Sequence, residues 1–378
     1  MPEEHDKATE LFHQITNHFE PLQAPDNDYK STTLIRLMHE EVFVKDEFLT
    51  LFFTHIEHDR LGIAEDKAIS LSESLSGLVG FQGWTAEEQY TLDQSLVRFA
   101  RYLIDNFFLP LKPLAGKTPQ PTPVSLSCVN LSAPAIGTSQ RLSNLLQSCL
   151  QRDRYRCVIT RKFDVEEGEK RYKTDGENVK DDDGNSLLPE GNNMTYLEVA
   201  HIIPHSFMSL SDIEGGPNLT GRKQIAHMIL KMFNPGAVHL ISGTDIDRPT
   251  NAFSLTHDLH RLFGNFEIAF EPVQDSQYTY KIDYVKTRRI FRSHNLPVTR
   301  TLFITPDRSI EPPSRQLLEV HRAIAHILHH SAAGDYIDRL IRDMEDLQGE
   351  EVCPNGSTRL DEYVHFKIMS QFDGMIIC

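Results

Sequence analysis

Two short stretches carry residues of a reactive type at suggestive spacing. LEVAHIIPHSF, residues 197–207, is an apolar, partly β-branched run that ends in His201 and is broken by Pro204. NAFSLTHDLHRLF, residues 251–263, opens with Asn251 and brings His257 and His260 three positions apart. An imidazole with an ordinary pKa of about 6.5 can take a proton or hold a metal ion near neutral pH. Histidines at i and i+3 share one face of a helix. The plain alternative is a buried histidine with a hydrogen-bond partner. With 18 histidines in the chain, isolated ones such as His205, His227, His239, His329 and His330 carry little weight.

The elements around these residues follow from hydrophobic spacing. TYLEVAHIIP reads as a strand and NAFSLT as a second one. HDLHRLFG reads as a helix, with Thr256 to cap it and Asp258 in its first turn. FEIAFEP and QYTYKIDYV alternate like a hairpin joined by VQDS. Upstream, Leu142, Leu145, Leu146, Cys149 and Leu150 form one helical stripe, and RCVIT reads as a short strand. Residues 163–193 are polar and acidic and read as a solvated, mobile excursion, its DDDG run as surface. RKQIAHMILKMF reads as a helix within the insert between the two histidine stretches.

The fold class is therefore α+β, with a division into residues 1–110, a helical domain; 111–137, a linker rich in Pro, Ser and Thr; 138–310, the domain with the histidines; and 311–378, a C-terminal helical region. A net charge of −16 argues against a generally basic, nucleic-acid-coating protein, though not against a local basic cleft. Five cysteines, an odd number with no CxxC pair, argue against a disulfide scaffold and for an intracellular protein, with nucleus or cytoplasm left open. No run approaches a membrane span, and MPEEHDKATELF lacks the features of a signal peptide.

The pieces in order resemble the HNH endonuclease domain. They are Cys157-Val-Ile-Thr160, Ala200-His201-Ile202-Ile203-Pro204, Asn251 to Leu255, and Leu259-His260-Arg261-Leu262-Phe263. The resemblance covers roughly residues 140–272 and is nearest to the fungal-type branch of that family. It implies a ββα-metal core flanked by the N-terminal and C-terminal helices. It implies hydrolysis of phosphodiester bonds, of DNA or alternatively RNA, with His201 as the general base that activates water. Asn251 matches the middle residue of the pattern, whose amide would bridge loop backbone and hold the strand of the base; a plain turn residue is the alternative. His260 would hold a divalent metal ion, Mg or Mn first and Zn as the alternative. His257 is a second candidate ligand or a residue of the capping region. Where many HNH nucleases have an Asp or His ligand, this chain has Ala200, so Glu198, Asp245 and Asp247 are substitute candidates.

A nuclease also needs cations for phosphate. Basic residues gather near the proposed site, and Arg156, Arg161, Lys162, Arg288 and Arg289 are the candidate nucleic-acid contacts. Arg152, Arg154, Arg222, Lys223, Lys286 and Arg292 lie in the same clusters. For any single one, an ordinary solvated charge is the plainer reading. The competing function is an HNH-fold module without catalysis, acting in protein interaction or assembly. The N-terminal helices would then serve an unidentified protein partner.

Overall fold

A computed structural model of the chain describes residues 2–23, 28–62, 69–112, 139–205, 207, 217–286 and 295–346. The helices are α1 (Pro2–Phe19), α2 (Ser31–Glu41), α3 (Lys45–Leu61), α4 (Leu71–Leu78), α5 (Ala86–Leu103), α6 (Ser139–Arg152) and α7 (Val165–Asp175). They continue as α8 (Pro217–Phe233), α9 (Ala237–Ile241), α10 (His257–Gly264), α11 (Arg315–His330) and α12 (Ala333–Asp346). The strands are β1 (Leu197–His201), β2 (Ala252–Thr256), β3 (Ile268–Pro272), β4 (Thr279–Tyr284) and β5 (Val298–Thr301). The expected α+β class is what the chain adopts, with a histidine-bearing ββα core flanked by helices. No described helix is long and apolar enough to cross a membrane.

The chain folds into two compact units. The first comprises Met1–Pro110, Ile213–Pro235 and His326–Cys378. Two of its helices, α4 and α5, start where side chains satisfy the free N–H groups of a first turn: Ser70 with Glu73 and Thr85 with Glu88 form capping boxes. Its interior is aromatic, with Phe52 edge-on to Phe12 and Phe99 at 5.1 and 5.4 Å. α8, from the insert between the two histidine stretches, belongs to this unit, and its Phe233 stacks on Phe107 at 5.5 Å.

The second unit comprises Leu111–Asp212 and Gly236–Ala325 and holds every described strand. β1 and β2 pair antiparallel, Glu198 opposite Leu255, Ala200 opposite Phe253 and His201 opposite Ala252. Successive side chains of a strand point to opposite faces. Val199 and Ala252 therefore present one face, which packs on Leu145 and Cys149 of α6. Phe253 presents the other, which packs on Phe263 of α10 at 5.0 Å and on Phe270 of β3 at 5.1 Å. Thr256 ends β2 and caps α10, its hydroxyl accepting from Leu259 N–H, so strand and helix join without a loop. A separate sheet runs β3-β4-β5, and its third strand is not visible in the alternation of the sequence.

Two local expectations are corrected. RCVIT is not a strand: Cys157–Thr160 is a turn closed by Arg161 N–H on Cys157 O at 2.9 Å and fastened to β2 by Val158 N–H on Ser254 O. β-branched residues suggested pairing, but the chain reverses at once, with Cys157 N–H on Lys162 O. Residues 163–193 are not a solvated excursion. Asp164 caps α7 through Glu167 N–H at 3.0 Å, and Phe163, Val179 and Leu187 form a small core beneath it. The acids there meet arginines: Asp183 with Arg154, Asp181 and Glu190 with Arg156, Asp182 and Glu167 with Arg171.

Arg152, expected among the cations near the site, is instead wholly buried. Its fork bonds both Asp153 oxygens at 2.8 and 3.1 Å, and also the carbonyls of Pro249, Ala252 and Glu311. Asp153 in turn accepts Ser254 N–H at 2.8 Å. This pair ties the end of α6 to β2 and to the segment before α11.

His321 of α11 lies flat on Phe263, with ring centres 3.8 Å apart, and its Nε2–H donates to Phe263 O at 3.0 Å. Burial pushes its pKa from 6.5 down to about 3. Below pH 6.5 the unfolded chain takes up a proton that the folded chain refuses, so stability falls as pH drops from 6.5 toward 3. The slope from this residue is at most about 1.4 kcal/mol per pH unit. His321→Phe, which keeps the stack, is expected to flatten the dependence. Urea unfolding at several pH values across this range checks it; equal pH profiles for the two proteins would rule the effect out.

Candidate active site

Asn251 closes a 3-10 turn, Pro249–Asn251, directly before β2, and is fully buried. Its Oδ1 accepts Ile203 N–H at 2.9 Å, and its Nδ2 donates to the carbonyls of Ile203 and Ile246 at 3.0 Å each. Its own carbonyl accepts Ile202 N–H at 2.7 Å. Asn251 thus holds the two residues after His201 in place, Ile203 by its side-chain amide and Ile202 by its carbonyl, against the loop that carries Asp247. Removing it strands buried donors and acceptors, each costing about 1–3 kcal/mol. Asn251→Ala should therefore destabilise the second unit by about 3 kcal/mol, read from urea midpoints; a cost under about 1 kcal/mol would refute the clamp.

His201 is the last residue of β1, and its side chain is only 2% exposed. It lies on the α6 face of the hairpin. Its Nε2 meets Asp247 Oδ1 at 3.2 Å, and Arg141 of α6 lies 3.9 Å from the other Asp247 oxygen. A carboxylate cannot donate when ionised, so in the neutral imidazole Nε2 carries the proton and Nδ1 the lone pair. Nδ1 is buried and has no hydrogen-bond partner among the described residues. The His205 ring is 6.3 Å away.

The other two histidines sit on the opposite face of the hairpin. Glu198 shares the face of Ala200 and meets α10: Oε1 is 2.8 Å from His257 Nδ1, and Oε2 is 2.7 Å from His260 Nδ1. These hydrogen bonds, that with His260 foremost, hold the Glu198 carboxyl down at about 2. His257 is exposed, whereas His260 is largely covered. The structure thus brings His257 and His260 together through Glu198, and His201 together with Asp247 and Asn251, but on different faces of one hairpin.

The fit to a divalent ion can be judged from these donors. Both Nδ1 atoms face Glu198, so a cation would meet each imidazole through Nε2. A carboxylate behind the imidazole is the usual partner of a metal-bound histidine. Ala200 supplies no ligand, and among the described residues no group of three or more His, Cys, Asp or Glu is arranged to hold a metal ion. The pair is too few for a zinc centre, which takes three or four protein ligands. It suits an ion that keeps most of its shell for water and phosphate oxygens.

Of the candidate nucleic-acid contacts, Arg156 is occupied by Asp181 and Glu190, at 2.9 and 2.8 Å. Arg161 and Lys162 leave the Cys157–Thr160 turn. Arg288 and Arg289 lie outside the described residues. The role of Asp247 as partner of His201, and of Glu198 as the brace of two histidines, carries no local signal beyond strand alternation. Both depend on which loop or helix each strand face meets.

A family model described as HNH endonuclease matches residues 157–271, a minority of the chain that spans the turn, the hairpin, α10 and β3. It contains His201, Asp247, Asn251, His257 and His260. No curated protein and no solved structure matches the chain.

Proposed function

We propose that the second unit is an HNH-type endonuclease that hydrolyses phosphodiester bonds of DNA with the aid of a divalent ion, of the fungal-type branch that its A-H-I-x-P and L-H-x-x-F stretches resemble. The observation that carries this reading is the buried Nδ1 of His201, without a partner among the described residues, on an imidazole whose Nε2 is bound by Asp247. A lone pair so placed is costly to bury and is of use as a proton acceptor. His201 Nδ1 takes the proton of the attacking water while Nε2–H stays on Asp247, which offsets the charge gained by the ring. Asn251 keeps the base at the end of its strand by fixing the Ile203 backbone. Glu198 holds the tautomer of His260 and His257, whose Nε2 atoms would be the protein's donors to the ion. A divalent ion, when bound, stabilises negative charge on the phosphate and the leaving oxygen.

The second reading is a module of the same fold without catalysis. The observation in its favour is that the His201 side chain is 2% exposed and faces away from His260 across the hairpin. One experiment separates the two. Purified protein is incubated with supercoiled plasmid and Mg²⁺ or Mn²⁺, beside His201→Ala and with an RNA substrate in parallel. Nicking above the His201→Ala rate supports the nuclease; equal rates with every metal and both substrates leave the module.

A further inference from the structure

The arginines around the Cys157–Thr160 turn divide into two kinds. Arg152, Arg154, Arg156 and Arg171 are each paired with carboxylates. Arg161 and Arg300 form no ion pair among the described residues. Arg300 of β5 donates to the carbonyls of Ile159 and Thr299, and Arg161 donates to the carbonyl of Thr301. In a chain with net charge −16, acids to neutralise them are plentiful, yet none of the described ones pairs with them: Asp153 acts on Arg161 only from beyond pairing distance and is itself held by Arg152.

Three features at Arg161 are each unfavourable. Its Nη1 is buried and has no hydrogen-bond partner among the described residues. Its pKa is lowered, first by burial and then by the like charge of Arg300. Its φ is +65°, the left-handed region where glycine sits freely and a side chain is strained. Its guanidinium lies 4.2 Å from the Phe303 ring centre, with that of Arg154 at 4.9 Å from the same ring. A bound anion would offset the first two costs together, and the guanidinium fork matches the oxygens of a phosphate. Strain at a sparsely populated backbone angle is a common mark of a functional position.

The geometry points to a phosphate-binding site formed by Arg161 and Arg300 beside Phe303, which takes a backbone phosphate of a nucleic-acid strand. The identity of the strand rests on the nuclease reading; the anion site itself does not. Arg300 and Phe303 stand far along the chain from the turn and become its neighbours only through the β3-β4-β5 sheet.

The test uses the full chain and short fluorescein-labelled DNA, single-stranded and duplex, with EDTA present so that cleavage does not intrude. Anisotropy is followed as sodium chloride is raised. Arg161→Gly is expected to weaken binding roughly tenfold at low salt, and to make the log–log salt slope on duplex shallower by about 0.9. Its Tm should equal or exceed that of the wild type, because glycine takes the positive φ without strain. Arg300→Gln, at an ordinary extended position, should weaken binding in the same direction. Wild-type affinity and slope in both variants would overturn the site. A lowered Tm for Arg161→Gly with unchanged binding would also do so, making the arginine a structural brace. Inorganic phosphate, titrated alone at constant ionic strength, is the other arm: if it binds as tightly as the strand, the site serves free phosphate and the strand assignment falls. The binding assay is run in EDTA and reads no cleavage, so loss of the nuclease reading in the plasmid assay is distinguishable from loss of this one.

Discussion

Arg152→Leu should lower the stability of the second unit by about 4 kcal/mol, a large part of the roughly 5–15 kcal/mol that typically separates folded from unfolded. The leucine fills much of the volume, so packing is not the main loss. The loss is electrostatic. Asp153 would be left as a buried carboxylate whose remaining partner is Ser254 N–H. The carbonyls of Pro249, Ala252 and Glu311 would each lose the donor that Arg152 supplies. Taking one partner from a buried pair costs far more than an exposed pair is worth. Arg152→Lys keeps the charge but not the fork, and should fall between the two. Urea unfolding followed by circular dichroism measures both. A Leu variant within about 1 kcal/mol of wild type would mean that Arg152 is not the tie between α6, β2 and the segment before α11.

The second large effect is on catalysis. On the proposed nuclease reading, His201→Ala should reduce plasmid nicking by about 10²–10⁴-fold, the range that a positioned general base contributes. Asp247→Asn should reduce it by about 10–100-fold, as loss of an orienting partner does elsewhere. The amide can also turn its NH₂ to Nε2, which would force the ring proton onto Nδ1 and block the base. Both variants should still bind DNA, because neither residue belongs to the Arg161 and Arg300 site. If His201→Ala changes only the unfolding midpoint and not the nicking rate, His201 and Asp247 are a structural pair, and the module reading takes over.

Much of the candidate site's local framework was legible because its signals are local. The apolar run ending at His201, the break at Pro204 and the i, i+3 spacing of His257 and His260 depend on neighbours within a few residues, and the helix and both strands form where that pattern places them. Thr256 caps α10 as its position suggests, because capping is a contact over three residues. The acidic stretch after Phe163 misled for the complementary reason. Its charge is solvated only if nothing opposite is near, and Arg154, Arg156 and Arg171 are near only once the chain has folded.

By itself, then, the sequence determined the two strands and the helix around the histidines, the α+β class and the candidate set of histidines with Asn251, all of which follow from short-range periodicity and turn chemistry. The tertiary structure alone decided what each side chain meets. Strand pleat sends Glu198 to α10 and His201 toward α6 and Asp247, although three positions separate them. Burial turns Arg152 from one of the cations near the site into the tie between α6, β2 and the segment before α11, and Arg161 and Arg300 are left without an ion pair among the described residues. The physical reason is the same in each case: desolvation and pairing are set by distance in space, which spacing along the chain does not encode.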